Sequence, residues 1–202
     1  MMRKLEAPDF LPIKREFRIA HTMDASICTR MTSMELAVFN TADRDEAIRT
    51  LTPCLDISRW VETIVDARPY ANVDELLGQA QRAAEPFTPA EVESAMAHHP
   101  RIGERPKAQT TEAAMSRSEQ AGVDPGDSQT TAALAEGNRA YEEKFDRVFL
   151  IRAAGRSAQE MLAALQERLT HTPEEEDTIV AGQLREIALL RLSGLISEGV
   201  NA

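Results

Sequence analysis

Three sets of side chains carry residue types and spacings that can do chemistry. Arg191 lies in the last apolar stretch, on one helical face with Leu184, Ile187, Ala188 and Leu195, while Leu189, Leu190, Leu192 and Ile196 crowd the adjacent faces. A helix apolar nearly all round is central in its fold, and a guanidinium held there keeps its charge and must meet anions. It closes an internal salt bridge (to a glutamate, for example), snorkels outward, or presents its planar fork to a substrate carboxylate. Ser116, Glu119 and Gln120 stand at i, i+3 and i+4, one face of a helix, and offer a hydroxyl, a carboxylate and an amide to a small polar ligand. The same S-x-x-E spacing is that of a capping box, so spacing alone leaves both uses open. His99, in the run His98-His99-Pro100-Arg101-Ile102-Gly103, falls at a helix end before a proline-forced turn. There an imidazole can face a cleft and move protons near neutral pH, or simply be satisfied by the helix dipole. Adjacent His98 and His99 project in different directions, and no third histidine or cysteine stands near them, a poor arrangement for a metal.

The elements that must position these groups read as helices. Ile57, Trp60, Val61, Ile64 and Val65 fall at i, i+3, i+4, i+7 and i+8, with Pro69 as a stop. Val73, Leu76, Leu77 and Ala80 repeat the pattern. Thr88-Pro89 reads as N-cap and first residue of a helix that Pro100 ends near His99. Ala158, Met161, Leu162, Leu165 and Leu169 form another stripe. Pro173 opens a long final helix whose first turn holds Glu174, Glu175, Glu176 and Asp177, where carboxylates suit the dipole. One β-rich run, residues 148–151, has nothing of matching quality to pair with. The pattern predicts an all-α domain of about seven or eight helices over residues 34–202, with breaker-rich loops at 100–110 and 122–128 joining helices within it.

Charge and composition narrow the function. A net charge of −10 over 202 residues repels phosphate backbones, and no basic stripe is interleaved with aromatics, so nucleic acid is a poor partner. The apolar runs fall far short of the ~20 residues that span a bilayer. Two cysteines, Cys28 and Cys54, make neither a disulfide framework nor a metal spacing, which fits a reducing cytoplasm. The first thirty residues differ: they carry +2, leaving −12 for the remainder, and have no sustained period. Without a continuous apolar stretch and small-residue cleavage site they are not a signal peptide. Residues 1–33 are expected to be a poorly ordered leader, or the product of a start assigned too far upstream.

Each chemical motif has a structural use when taken alone, but their order and separations together resemble the OHCU decarboxylase family. The resemblance rests on His99-Pro100-x-Ile102-Gly103, then Ser116-x-x-Glu119-Gln120, with Glu119 twenty residues after the histidine, then Ala121-Gly122-Val123-Asp124. It continues through Asn138-x-x-Tyr141-x-x-Lys144-Phe145, Val148-Phe149-Leu150-Ile151, Arg168-Leu169, Glu175 and Ile187-Ala188-x-x-Arg191-Leu192, with Trp60 and Arg68-Pro69-Tyr70 upstream.

The resemblance implies an all-α homodimer without metal or organic cofactor. Its small-molecule substrate would be 2-oxo-4-hydroxy-4-carboxy-5-ureidoimidazoline (OHCU), converted to (S)-allantoin and CO₂ at the last step of urate breakdown. It would make His99 the catalytic histidine with Glu119 beside it in acid/base work, and Arg191 a holder of anionic or carbonyl oxygens. Ser116 and Gln120 would bond the ureido and ring groups, backbone groups of Phe149, Leu150 and Ile151 would meet the ring edge, and Pro100 would shape the wall. Asp146 departs from the pattern, standing where the family commonly has glycine. Two other readings compete: a non-catalytic helical interaction module, in which the polar groups are caps and salt bridges, and another ureide lyase or hydrolase.

Overall fold

Helix ends are written into the sequence as side-chain caps. The structure, a computed structural model, describes residues 33–97, 99–103, 110–120 and 128–199. The leader up to residue 32, His98, the Ala121-Gly122-Val123-Asp124 motif and most of both expected loops lie outside the described residues. After a two-residue strand β1 (Met34–Glu35) come α1 (Leu36–Thr41), α2 (Arg44–Leu51), α3 (Ser58–Asp66), α4 (Val73–Ala83) and α5 (Pro89–Met96). Next are α6 (Thr111–Glu119), α7 (Ser128–Phe145), α8 (Ala158–Arg168), α9 (Pro173–Leu195) and the strand β2 (Ile196–Ser197). Asp43, Asn72 and Thr110 cap α2, α4 and α6, and complete capping boxes open α5 (Thr88, Glu91), α8 (Ser157, Glu160) and α9 (Thr172, Glu175). Each such cap contributes about 1 kcal/mol.

The fold is all-α as expected, though the described residues hold nine helices rather than seven or eight. The difference lies in α1 and α2, which are too short and too polar to show an apolar period: α1 buries only Leu36 and Phe39, and α2 only Ala47 and Leu51. The β-rich run at 148–151 is not a strand. The strand pairing that does form joins the two ends of the described chain in parallel, Met34 opposite Ile196 and Glu35 opposite Ser197. Ile196, expected in the final helix, is therefore extended. No described helix is long and apolar enough to cross a membrane.

Two apolar cores divide the helices. One gathers α1 to α5 around α9 and takes in Met115 of α6 and Leu150. The other joins α7 and α8 through Leu134, Tyr141, Phe145, Met161 and Leu165, with Ile102, Phe149 and Ile151. Gly137 lets α7 and α8 approach closely, since a Cβ there would meet Leu165 Cδ2 at 2.6 Å. The extended run Phe149-Leu150-Ile151 threads the seam between the cores: its odd residues enter the second and Leu150 the first. That alternation explains why it reads as strand while pairing with none.

Candidate active site

Helix α9 delivers Arg191 to α6. Glu176, Val180, Leu184, Ile187, Ala188, Arg191 and Leu192 are its buried residues, whereas Leu190 is 38 % exposed, so the helix is not apolar-buried all round. The Arg191 side chain is 2 % exposed and its charge is met by α6. Nε donates to Glu119 Oε1 at 2.6 Å and Nη2 to Oε2 at 3.0 Å, a two-toothed ion pair. Nη2 also donates to Ser116 Oγ at 3.1 Å and Nη1 to the Pro53 carbonyl at 3.4 Å. Of the five N–H groups of a guanidinium, these contacts engage four.

Ser116 sits in the interior of α6, whose cap is Thr110, so its S-x-x-E spacing is a shared helix face and not a capping box. That face turns to Arg191, and the internal salt bridge anticipated for the arginine is closed by a residue of the same candidate site. Cys54, a free buried thiol, adjoins the pair. Burial pushes its thiol up to about 12, with Arg191 drawing it down and Glu119 raising it further.

Gln120, the C-cap of α6, reaches the loop after α5: its Oε1 accepts from the Gly103 N–H at 3.2 Å. Gly103 has φ +86°, a left-handed turn that glycine takes without strain. Helix α5 ends at Met96, one turn earlier than Pro100 suggests, and His99 continues as a turn bonded to the Met96 carbonyl. His99 Nδ1 lies 2.9 Å from the Ala95 carbonyl, an acceptor only. The neutral ring therefore carries its proton on Nδ1, leaving Nε2 as its basic nitrogen. His99 lines a cleft of about 610 Å³ with Met96, Val148 and Asp146, a volume in the range of small-molecule sites. Pro100 follows, half-buried, and Ile102 anchors the loop in the second core, its carbonyl accepting from Asn138 Nδ2 at 2.9 Å.

Phe149, Leu150 and Ile151 are all buried at the seam. Among the described residues, two hydrogen bonds reach the backbone of residues 149–152: Arg168 Nη1 to the Leu150 carbonyl at 2.6 Å, and the Arg152 N–H to Gln183 Oε1 at 2.8 Å. Amides of a buried, non-helical stretch need partners, and among the described residues none is seen for the N–H groups of Leu150 and Ile151. Gln183 and Arg191 lie eight residues apart on α9, about 12 Å along its axis.

Ser116, Glu119 and Arg191 thus come together in direct contact, and Gln120 ties them to the loop of His99. Asp146 takes φ +53°, the left-handed region where glycine is at ease, which explains the glycine common at that position in the resembled family. Sequence reasoning missed Pro53 and Gln183, and gave no role to Asn138, Tyr141, Arg168 or Glu176, which it named only within the resemblance or the first turn of the last helix. A backbone acceptor such as Pro53 carries no sequence signal, and the others bond to backbone or to one another. Among the described residues, no three His, Cys, Asp or Glu side chains gather as a metal-binding group.

Residues 40–193 match the model of a family described as OHCU decarboxylase. The chain is 26% identical over 164 residues to the 2-oxo-4-hydroxy-4-carboxy-5-ureidoimidazoline decarboxylase of Haloferax volcanii, covering 81% of this chain and 96% of that protein. It is 25% identical over 169 residues to the uric acid degradation bifunctional protein of Bacillus sp. strain TB-90, covering 83% of this chain and 33% of that one. In fold it is similar to the crystal structure of an OHCU decarboxylase determined in the presence of (S)-allantoin, with a TM-score of 0.59, 24% identity, and coverage of 76% of this chain and 98% of the other.

Proposed function

This chain belongs to the OHCU decarboxylase family, and from that premise we propose how the cluster around Arg191 removes CO₂ from its substrate. The protein is a carboxy-lyase of urate degradation that converts OHCU to allantoin and CO₂. The observation that carries the site assignment is the direct contact of Ser116, Glu119 and Arg191.

The substrate bears a hydroxyl and a carboxylate on one ring carbon, next to a C=N bond. When the C–CO₂ bond breaks, its electron pair moves into that C=N bond, so the substrate supplies the electron sink that other decarboxylases take from a cofactor. As the pair arrives, the ring nitrogen of that bond takes up a proton; the resulting enol then takes a proton at the carbon bearing the ureido arm and gives up its hydroxyl proton, leaving the carbonyl of allantoin. The protein orients the breaking bond, strips water from the carboxylate and moves three protons, with a net uptake of one. His99 Nε2 takes the hydroxyl proton, and Glu119 shares in the proton path. Delivery of the ring proton from one side gives the (S) enantiomer.

Arg191 holds substrate oxygen through the N–H that the protein contacts leave over and by sharing its fork with Glu119. Ser116 and Gln120 bond the ureido and ring groups, the amides of Leu150 and Ile151 with the Phe149 carbonyl meet the ring edge, and Pro100 forms the adjoining wall. Residues 34–202 make up the catalytic unit, which works in the cytoplasm as a homodimer; sedimentation at micromolar concentration reads the dimer directly. The activity is tested by mixing freshly made OHCU with the protein and following optical rotation. Rapid appearance of (S)-allantoin, unaffected by a chelator, supports the reading; racemic product at the spontaneous rate overturns it.

A further inference from the structure

A second buried ion pair, Arg168 with Glu176, touches the 149–151 segment, and nothing in the reaction above uses it. Arg168, at the end of α8, is 5 % exposed and Glu176, in the first turns of α9, is wholly buried. Arg168 Nε donates to Glu176 Oε1 at 2.6 Å, and Nη2 donates to the same oxygen. Tyr141 of α7 adds its hydroxyl to Oε1, and His171 Nδ1 stands 3.2 Å from Oε2. Two buried charges cost much desolvation, and a well-packed apolar replacement is often at least as stable, so such a pair is weak evidence for stability alone.

What the pair touches gives it a use. The remaining arm of Arg168, Nη1, donates to the Leu150 carbonyl at 2.6 Å, and the guanidinium lies 4.6 Å from the centre of the Phe149 ring. One planar cation thus grips two consecutive residues, the backbone of one and the side chain of the other. The stretch they belong to is neither helix nor strand, so no regular hydrogen-bond ladder sets its position. Glu176 fixes the guanidinium plane through two of its nitrogens, and Tyr141 fixes the carboxylate.

We infer that Arg168, held by Glu176 and Tyr141, is a positioning residue that sets the Phe149-Leu150-Ile151 backbone at the distance needed to bind substrate. The inference rests on the assignment of that backbone to the ring edge of the substrate. Arg168 acts through the peptide groups and does not touch substrate itself. A lysine in its place keeps the charge but cannot hold a carboxylate by two nitrogens, reach the carbonyl and cover the ring together.

The test compares the wild-type chain with Arg168→Lys and Tyr141→Phe by OHCU kinetics and by hydrogen exchange of peptides across residues 148–153. Losing the charge-assisted grip predicts a KM about tenfold or more higher in Arg168→Lys with kcat within about threefold. Exchange should quicken in 148–153 while α3 and α4 peptides are unchanged. Tyr141→Phe, which keeps the ion pair and drops two hydrogen bonds, one given to Glu176 and one accepted from Arg168, should raise KM about two- to fivefold and serves if the lysine variant fails to fold. A merely structural pair would lower the folded fraction, and with it kcat, at constant KM, and exchange would quicken evenly; that result overturns the inference. Should the wild-type chain fail to turn over OHCU, the decarboxylase reading falls while the exchange arm still decides whether Arg168 holds the segment.

Discussion

Arg191 and Glu119 meet as fork and carboxylate across 72 residues of sequence, at 2.6 and 3.0 Å, with the guanidinium 2 % exposed. Each is the other's main counter-charge. Glu119→Ala leaves the guanidinium buried without it, and breaking such a pair costs about 3–5 kcal/mol, nearer the lower figure here because Glu119 is 17 % exposed. Glu119→Gln keeps hydrogen bonds to Arg191 and should lose less stability in urea titrations. Both variants should lose about 10²–10⁴ in kcat if the carboxylate works in proton transfer. Full activity in the folded Gln variant would remove Glu119 from the chemistry.

Asp146 is the one non-glycine among the described residues with positive φ, at +53°. Left-handed backbone strains a residue bearing a Cβ, less so aspartate than most. Asp146→Gly should therefore stabilise the protein by about 0.5–1 kcal/mol, the greater freedom of glycine in the unfolded chain offsetting part of the relief. Thermal unfolding checks the sign; a lower melting temperature would mean that the aspartate makes an interaction worth more than the strain.

Glu91 links the start of α5 to α3. The Arg59 guanidinium beside it, with the Thr88 N–H and hydroxyl, holds its carboxyl at about 2 against an ordinary 4.5, despite the opposing effect of burial. A folded-state value below the unfolded one stabilises the fold fully above pH 4.5 and loses that contribution as pH falls toward 2. The stability gap between wild type and Glu91→Gln should be widest near neutrality and close on acidification through this window. Urea unfolding at a series of pH values reads it, and a gap constant with pH would contradict the pair's role.

Much of this fold is legible in the sequence where burial follows a period. Trp60, Val61, Ile64 and Val65 are buried in α3 with Ile57 buried at its N-cap, and Thr88-Pro89 opens α5 with a full capping box. Short α1 and polar α2 escape because two buried residues cannot show a repeat. Residues 148–151 carry β-type residues because they alternate between two cores, and only coordinates reveal that Arg168, rather than a neighbouring strand, takes the Leu150 carbonyl, with Gln183 taking the N–H of Arg152 just beyond. At the site, Ser116, Glu119 and Arg191 announce themselves by type and spacing. Whether Ser116 is a cap is decided by Thr110, six residues before it and silent in the pattern.

The proposed proton exchange between His99 and OHCU runs through Nε2 while Nδ1 is fixed on the Ala95 carbonyl. Single-turnover kinetics of His99→Asn with freshly made OHCU tests it most directly, read by loss of substrate and by the handedness of the allantoin formed. The prediction is a loss of about 10²–10⁴ in rate, with circular dichroism unchanged and the product drifting toward the racemate. Undiminished turnover to (S)-allantoin in that variant would contradict it.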